Sequence, residues 1–288
     1  MNKTREIVFS QAIITALSEE MERDEKVIVY GEDVGVYGGV YGATRGLQKR
    51  FGEERVMDTP ISETAITGIA CGAALMGMRP VAEIMYCDFL TQASDQLANN
   101  AAKFRYMSGG QFSLPLVIRT PAGGGPGNAA QHSQCLEAWM CHIPGLKVIV
   151  PSNPADARGL LKSAIRDDNP VVFVEHKKLY QMRGSVPTEG EPIPIGQADV
   201  KRKGKDVTLI SWSYSIHTCL EAANRLAEED ISVEVLDPRT LQPLDIDSVM
   251  KSVNKTGRLV VTHEAVTFGG FGAEIAAQVS EKAFDSLK

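Results

Sequence analysis

Two residues in this chain stand where their type and surroundings could do chemistry. Glu63 opens "ETAITGIACGAALMG", a run in which Gly68, Ala70, Gly72, Ala73, Ala74 and Gly77 leave almost no side-chain bulk. The spacing predicts a helix that packs close to its neighbours and is buried on most sides. A carboxylate on its first turn is costly unless it is paired or shares a proton. The bland explanation is an acid favoured at a helix N-terminus by the dipole alone. His132 ends the glycine-rich "AGGGPGNAAQH". That loop lacks both the Lys-Ser/Thr ending of a P-loop and GxGxxG spacing, so it is no phosphate cradle by pattern. It follows the apolar "LPLVIRTP", and a loop in that place can present an imidazole at the carboxyl edge of a parallel sheet. A surface or capping histidine fits the same pattern. His132 with Cys135, or Cys141 with His142, would begin a metal site, but no second pair completes one. Glu32 and Asp33 read as turn and cap residues, "GGFGAE" as tight packing at a helix start, and His217 and His263 have no distinctive setting.

The elements that must position Glu63 and His132 alternate in type. Ser10 is placed to cap a helix over "QAIITALSEEMER", and "KVIVYGEDV" follows as a strand. After the glycine-rich "GVYGGVYGATRG" come the strand "RVMDTP", the small-residue helix and the strand "RPVAEIMY". "TQASDQLANNAAKFRYMSGG" predicts one amphipathic helix closed by glycines. "LPLVIRTP", "HIPGLKVIVPS" and "NPVVFVEH" predict strands, with a helix over "NPADARGLLKSAIRDD" started by Asn153 and Pro154. Apolar strands without alternation imply a mostly parallel sheet covered on both faces. From residue 181 to 205 the chain turns polar and proline-rich, which reads as a linker between a first domain over 1–180 and a second over 206–288. The second resumes the α/β rhythm in "VTLISW", "IHTCLEAANRLAEE", "SVEVLD", "DIDSVMKSV", "RLVVTHE" and "GGFGAEIAAQVSEKAF".

Composition narrows the class. The 288 residues are 43% hydrophobic, enough for one large or two medium domains, and the net charge of −6 argues against a nucleic-acid partner. No apolar run reaches the roughly 20 residues of a membrane span, and "MNKTREIVFS" lacks the apolar core of a signal peptide. The five cysteines form no CxxC pair, and Cys71 and Cys87 sit in apolar stretches as small core residues. The expectation is a cytoplasmic protein with reduced thiols.

Several segments share one resemblance. "GEDVG", "RVMDTPISE", "GAALMGMRPVAEIMYCDF", "AAKFRYMSGG", "AAQHSQ", "HIPGLKVIVPSNPADARGLLKSAIRDDNPVVFVEHK" and "PRTLQPLD" resemble the beta subunit of the thiamine-diphosphate-dependent 2-oxo acid dehydrogenase first component. That family includes pyruvate, branched-chain and acetoin dehydrogenase beta subunits. The resemblance covers the chain from its first helix to its last residue. It implies a pyrimidine-binding domain followed by a transketolase C-terminal-type domain, ending short of where family members usually end.

The resemblance also implies roles. The glutamate matching Glu63 hydrogen-bonds a ring nitrogen of the cofactor's aminopyrimidine, shares a proton with it and so helps the thiazolium carbon lose its own. His132 matches a histidine near the bound intermediate and the incoming lipoyl group, Phe89 a residue packing on the pyrimidine, and Ile61 its neighbour. Leu116, Ala164, Ile165, Asp167 and Asn169 match positions that hold potassium in the family. The chain has no "GDG…N" segment of the kind that binds magnesium and diphosphate. The resemblance therefore implies an alpha subunit carrying Mg²⁺, an alpha2beta2 heterotetramer with thiamine diphosphate shared at the subunit interface, and a lipoyl-bearing dihydrolipoyl acyltransferase as partner. Pyruvate-like features ("AAQHSQCLEAWMCHIPGLKV") and acetoin-like ones ("VEHKKLY") occur together. Half of a split transketolase-like enzyme and a non-catalytic assembly subunit are the alternatives.

Overall fold

The computed structural model describes residues 3–288. The first sheet runs, edge to edge, Thr240–Gln242, Lys147–Ile149, Val171–His176, Val117–Ala122, Arg79–Glu83, Val27–Gly31 and Val56–Asp58. Every neighbouring pair is parallel except the first, where Thr240–Gln242 lies antiparallel to Lys147–Ile149. Because both faces are covered, alternate residues of one strand feed two cores. Val171 and Phe173 join Phe9, Ile13, Leu17, Leu160 and Leu161 beneath helices Phe9–Arg23 and Pro154–Arg166. Val172 and Val174 join Ile66, Ala70, Leu90 and Leu97 on the other face. This double burial is why the strands read as unbroken apolar runs.

The second sheet places Leu259–Val261, Val207–Ile210 and Val233–Asp237 in parallel, with Asp199–Arg202 antiparallel at the edge. Trp212, Leu236, Phe271 and Ile275 of this part share one continuous core with Ile118, Val172 and Met140 of the first. The chain is thus two mostly parallel α/β units fused through a common interior. Five free cysteines are present, three of them buried, and no helix among the described residues is long and apolar enough to cross a membrane.

Several expectations change. Ser10 is not a cap: the helix begins at Phe9, and the Phe9 and Ser10 N–H groups donate to the carbonyls of Met182 and Tyr180 at 2.9 and 3.1 Å. A neighbouring turn does the work that a side chain was expected to do. The single helix over 91–110 is broken into Cys87–Thr91, Gln96–Ala101 and Phe104–Met107. The Gly145 turn presses on its backbone there, so close that a Cβ on Gly145 would lie 2.2 Å from the Ala102 carbonyl oxygen. Ala102 N–H accordingly reaches back five residues to the Leu97 carbonyl, a π-type turn. The segment read as a linker holds Arg183–Pro187, paired antiparallel with Thr4–Val8, and the edge strand Asp199–Arg202.

The small-residue helix Glu63–Leu75 is buried on one side only. Ile69 and Met76, just past its end, stand 58% and 86% exposed. Within this chain a Cβ on Gly72 would touch nothing, and one on Gly68 would make only an ordinary 3.6 Å contact with Gln96. At Gly68 and Gly72 the lack of bulk is not demanded by any neighbour within the chain, whereas Ala70, Cys71 and Ala74 are packed in its core.

Candidate functional site

Glu63, His132 and Phe89 each sit just beyond the carboxyl end of a parallel strand, and so does Glu32. Glu32 follows Val27–Gly31, Glu63 begins the helix after Val56–Asp58, Phe89 follows Arg79–Glu83, and His132 ends the loop after Val117–Ala122. In parallel sheets this edge gathers loops into a crevice. Here they line one open cleft of about 570 Å³, with Ile61, Glu63, Phe89 and His132 joined by Glu32, Asp33, Val40, Met85 and Tyr86.

Glu63 is buried, at 5% exposure. The Tyr30 hydroxyl supports its helix by donating to the Ile66 carbonyl at 3.0 Å. Glu32 lies across from it. Burial, then the negative charge of Glu63, pushes the Glu32 carboxyl up from its ordinary value. Its Oε1 is buried with no hydrogen-bond partner in the chain, which marks a polar position that a bound group could satisfy. The opposite wall is aromatic. His132 lies 5.0 Å from Tyr86 and 5.4 Å edge-to-face from Phe89, measured between ring centres. A half-polar cleft with one aromatic wall and the carboxyl groups of Glu32, Asp33 and Glu63 suits a flat, partly basic heterocycle such as an aminopyrimidine.

Beneath the cleft lies a charged layer that the sequence reading passed over. Arg119 is fully buried and donates to Glu83 at 2.6 Å and to both oxygens of Glu175 at 2.7 and 2.8 Å. Its signal was available: charged residues recur in "VAEIM", "VIRTP" and "FVEH", three otherwise mostly apolar strand segments. Tyr180 donates to Glu175 at 2.6 Å and stacks on Tyr41, whose ring in turn meets Tyr86 in the cleft wall.

The residues matched to a potassium site gather elsewhere, around the end of helix Pro154–Arg166. Two fixed cations already hold them. Arg79 donates to the carbonyls of Ile165 and Asp167 at 3.0 and 3.1 Å, and the Lys147 ammonium pairs with the Asp167 carboxylate. Although burial alone would raise it, the Lys147 and Asn169 bonds hold the Asp167 carboxyl below its ordinary value. The Leu116 carbonyl accepts from Val171 N–H at 2.9 Å and that of Ala164 from Asp167 N–H at 3.3 Å. A monovalent cation would compete there with a guanidinium and an ammonium, so this donor set does not fit one as it stands. Among the described residues no cluster of three or more His, Cys, Asp or Glu could hold a metal ion. At "GGFGAE", a Cβ on Gly270 or Gly272 would collide with the His263 ring at 2.7 or 2.8 Å, which makes the glycines a packing requirement.

A two-domain α/β chain with a half-polar cleft at the carboxyl edge of its first sheet is of the transketolase type. Residues 5–183 match the transketolase pyrimidine binding domain and residues 196–288 the transketolase C-terminal domain. Curated relatives narrow this. The chain is 48% identical to the 2-oxoisovalerate dehydrogenase subunit beta of Bacillus subtilis over 95% of its own length and 84% of the relative's. The pyruvate dehydrogenase E1 component subunit beta of that organism is also 48% identical, with 96% and 86% covered. So is the acetoin:2,6-dichlorophenolindophenol oxidoreductase subunit beta of Cupriavidus necator, with 99% and 87% covered. A solved structure described as a split gene transketolase, inactive beta4 tetramer, is similar with a TM-score of 0.79 at 25% identity, over 96% of this chain and 85% of that one. The chain belongs to the family of beta subunits of the thiamine-diphosphate-dependent 2-oxo acid and acetoin dehydrogenase first component.

Proposed function

We propose that this chain supplies the pyrimidine-side half of an active site that cleaves a small 2-oxo acid or acetoin next to its carbonyl and passes the acyl group to a lipoyl arm. The observation that carries this is the convergence of Glu63, Ile61, Phe89 and His132 on one cleft. Thiamine diphosphate, when bound, supplies the electron sink for that bond cleavage. Glu63 has the tasks of pairing with a ring nitrogen and sharing a proton with it, which an acid shielded from water does best. The aromatic edge of Phe89 and the Ile61 side chain hold a flat ring in register. His132, on its glycine-rich loop, offers an imidazole to the substrate's carboxylate or to the lipoyl sulfurs.

Among the described residues no cluster gathers carboxylates for a metal ion, which supports Mg²⁺ and the diphosphate belonging to the alpha subunit. The cleft is open on one side, and Val40 and Ile61 in its lining are 43% and 78% exposed. These apolar residues suit coverage by that subunit, and the exposed side of the Glu63–Leu75 helix suits a further close subunit contact in an alpha2beta2 assembly. Arg79 and Lys147 already occupy two of the expected potassium donors, the Ile165 carbonyl and Asp167.

The test is co-purification with an alpha-type chain, followed by decarboxylation assays with pyruvate, branched 2-oxo acids and acetoin. Glu63→Gln is expected to leave the assembly intact by sedimentation and to lower turnover by about 10²–10⁴-fold, the span of a lost proton-transfer group. Near-normal turnover would remove Glu63 from this role. Ketol transfer between sugars, without lipoyl acylation, would instead make the chain half of a split transketolase.

A further inference from the structure

The loop that bears His132 leaves the sheet at Gly123 and returns at Gln134, and most of Pro126–Gln131 is exposed to solvent. A glycine-rich loop of this length has much conformational entropy to lose. Something must hold it if the imidazole is to keep one position. Three tethers are visible. Asp88 accepts from the Gln134 backbone at 3.2 Å and from its side chain at 2.9 Å, which fixes the returning end.

The second tether is Lys177, a lysine only 6% exposed. Its ammonium donates to the Gly123 carbonyl at 3.0 Å and to the carbonyl of His132 itself. The same group lies 4.6 Å from the centre of the Tyr86 ring, which packs on the His132 imidazole. One cation therefore bridges the start of the loop, the backbone of the histidine and the ring beside it.

The third tether comes from the other half of the chain. Glu264 follows the strand Leu259–Val261 and accepts from Gly124 N–H at 2.6 Å. Its second oxygen meets His176 Nε2, also at 2.6 Å. Lys178 N–H donates to His176 Nδ1, so Nδ1 is the acceptor nitrogen and Nε2 carries the hydrogen that Glu264 receives. The His176 bond, with that of Gly124, holds the Glu264 carboxyl down at about 2. The loop rests directly on the His176 ring, for a Cβ on Gly123 would lie 2.0 Å from Nε2.

We propose that Lys177 and Glu264 are positioning residues for His132, clamping the two ends of contact between its loop and the sheet, so that the C-terminal domain sets where the imidazole stands. The inference rests on His132 acting in the cleft as described above. Neither residue lines the cleft; Glu264 acts through the backbone of the loop, and Lys177 through that backbone and the Tyr86 ring. A displacement of about 1 Å in a reacting group can cost about 10²-fold in rate.

The experiment uses the complex assembled with its alpha-type chain and compares Glu264→Gln, Lys177→Met, His132→Ala and each double variant with His132→Ala. Both single variants are expected to lower kcat for lipoyl acylation by about 10–100-fold while KM for the oxo substrate stays within about twofold. Hydrogen exchange at the amides of residues 123–131 is expected to speed up, and each double variant to be no slower than His132→Ala alone. Unchanged exchange in the loop, or losses that multiply with that of His132→Ala, would overturn the inference. So would full activity of Glu264→Gln and Lys177→Met beside a crippled His132→Ala, with the role of His132 left standing. Full acyl transfer by His132→Ala would instead remove that role and the inference with it. Glu264 is one-third exposed, and Glu264→Gln keeps its shape, so that variant stays folded even if Lys177→Met does not.

Discussion

Removing the guanidinium of Arg119 is the sharpest probe of the layer that carries the cleft. Arg119→Met keeps most of the apolar stem and deletes three hydrogen bonds of 2.6–2.8 Å. Two carboxylates then remain in the interior, Glu83 at 3% exposure and Glu175 at 0%, with only the Tyr180 hydroxyl still bonded to Glu175. Breaking a buried ion pair by deleting one partner costs about 3–5 kcal/mol, because the orphaned charge stays out of water. The volume change adds under about 1 kcal/mol. For a chain of this size each kcal/mol moves the melting temperature by roughly 2–4 °C, so a fall of about 6–24 °C is expected. The sign with pH follows from Glu83. Burial already raises its carboxyl above the ordinary value, and the Arg119 charge is the main opposing influence. Without that charge the folded chain holds the proton more tightly still. The stability gained from protonation is present below the unfolded value, roughly 4.3, and is lost as pH rises through the raised folded one. Calorimetry of the assembled complex should therefore show a larger deficit at pH 8 than at pH 5, partly recovered by adding Glu83→Gln. A fall of less than about 2 °C, or a deficit equal at both pH values, would refute the reasoning.

Gly123→Ala should lower acyl transfer by about tenfold or more and cost about 1–3 kcal/mol, since φ is +90° there and the new methyl would collide with His176; normal kinetics and melting would show that the loop need not rest on that ring. Asp237 is fully buried and its carboxyl is pushed by burial up to about 6, against 3.8 unfolded. Its protonated form therefore adds stability at low pH that is lost between about 4 and 6. Melting curves of Asp237→Asn should be flatter than wild type across that interval, and an unchanged slope would assign the pH dependence elsewhere.

How much of this was legible in the sequence depended on whether a residue's partners were local. Asn153 and Pro154 start their helix as expected, the Asn153 side chain accepting from Asp156 N–H at 2.9 Å, because a cap involves only the next turn. The strand core was legible because burial on both faces leaves a continuous apolar run. Ser10 misled because its helix is capped by the turn at Tyr180–Met182, far away in sequence. The break in the helix over 91–110 comes from a glycine turn more than 40 residues on, which no periodicity could reveal. Glu63 and His132 carry composition cues in their small-residue helix and glycine loop. Lys177 and Glu264 carry none, since their importance lies in backbone groups 54 and 140 residues away. Arg79 likewise reaches the Ile165 carbonyl across 86 residues, where the local pattern suggested only free helix-end oxygens.

Thr240–Gln242 has a consequence for how the chain may be divided. It is the outermost strand of the first sheet, yet it is supplied from well inside the C-terminal match. A fragment cut anywhere before it would leave Lys147–Ile149 with a bare row of amides and carbonyls, inviting foreign strands to add themselves. Expressed as separate halves, the protein should clump rather than yield two tidy modules.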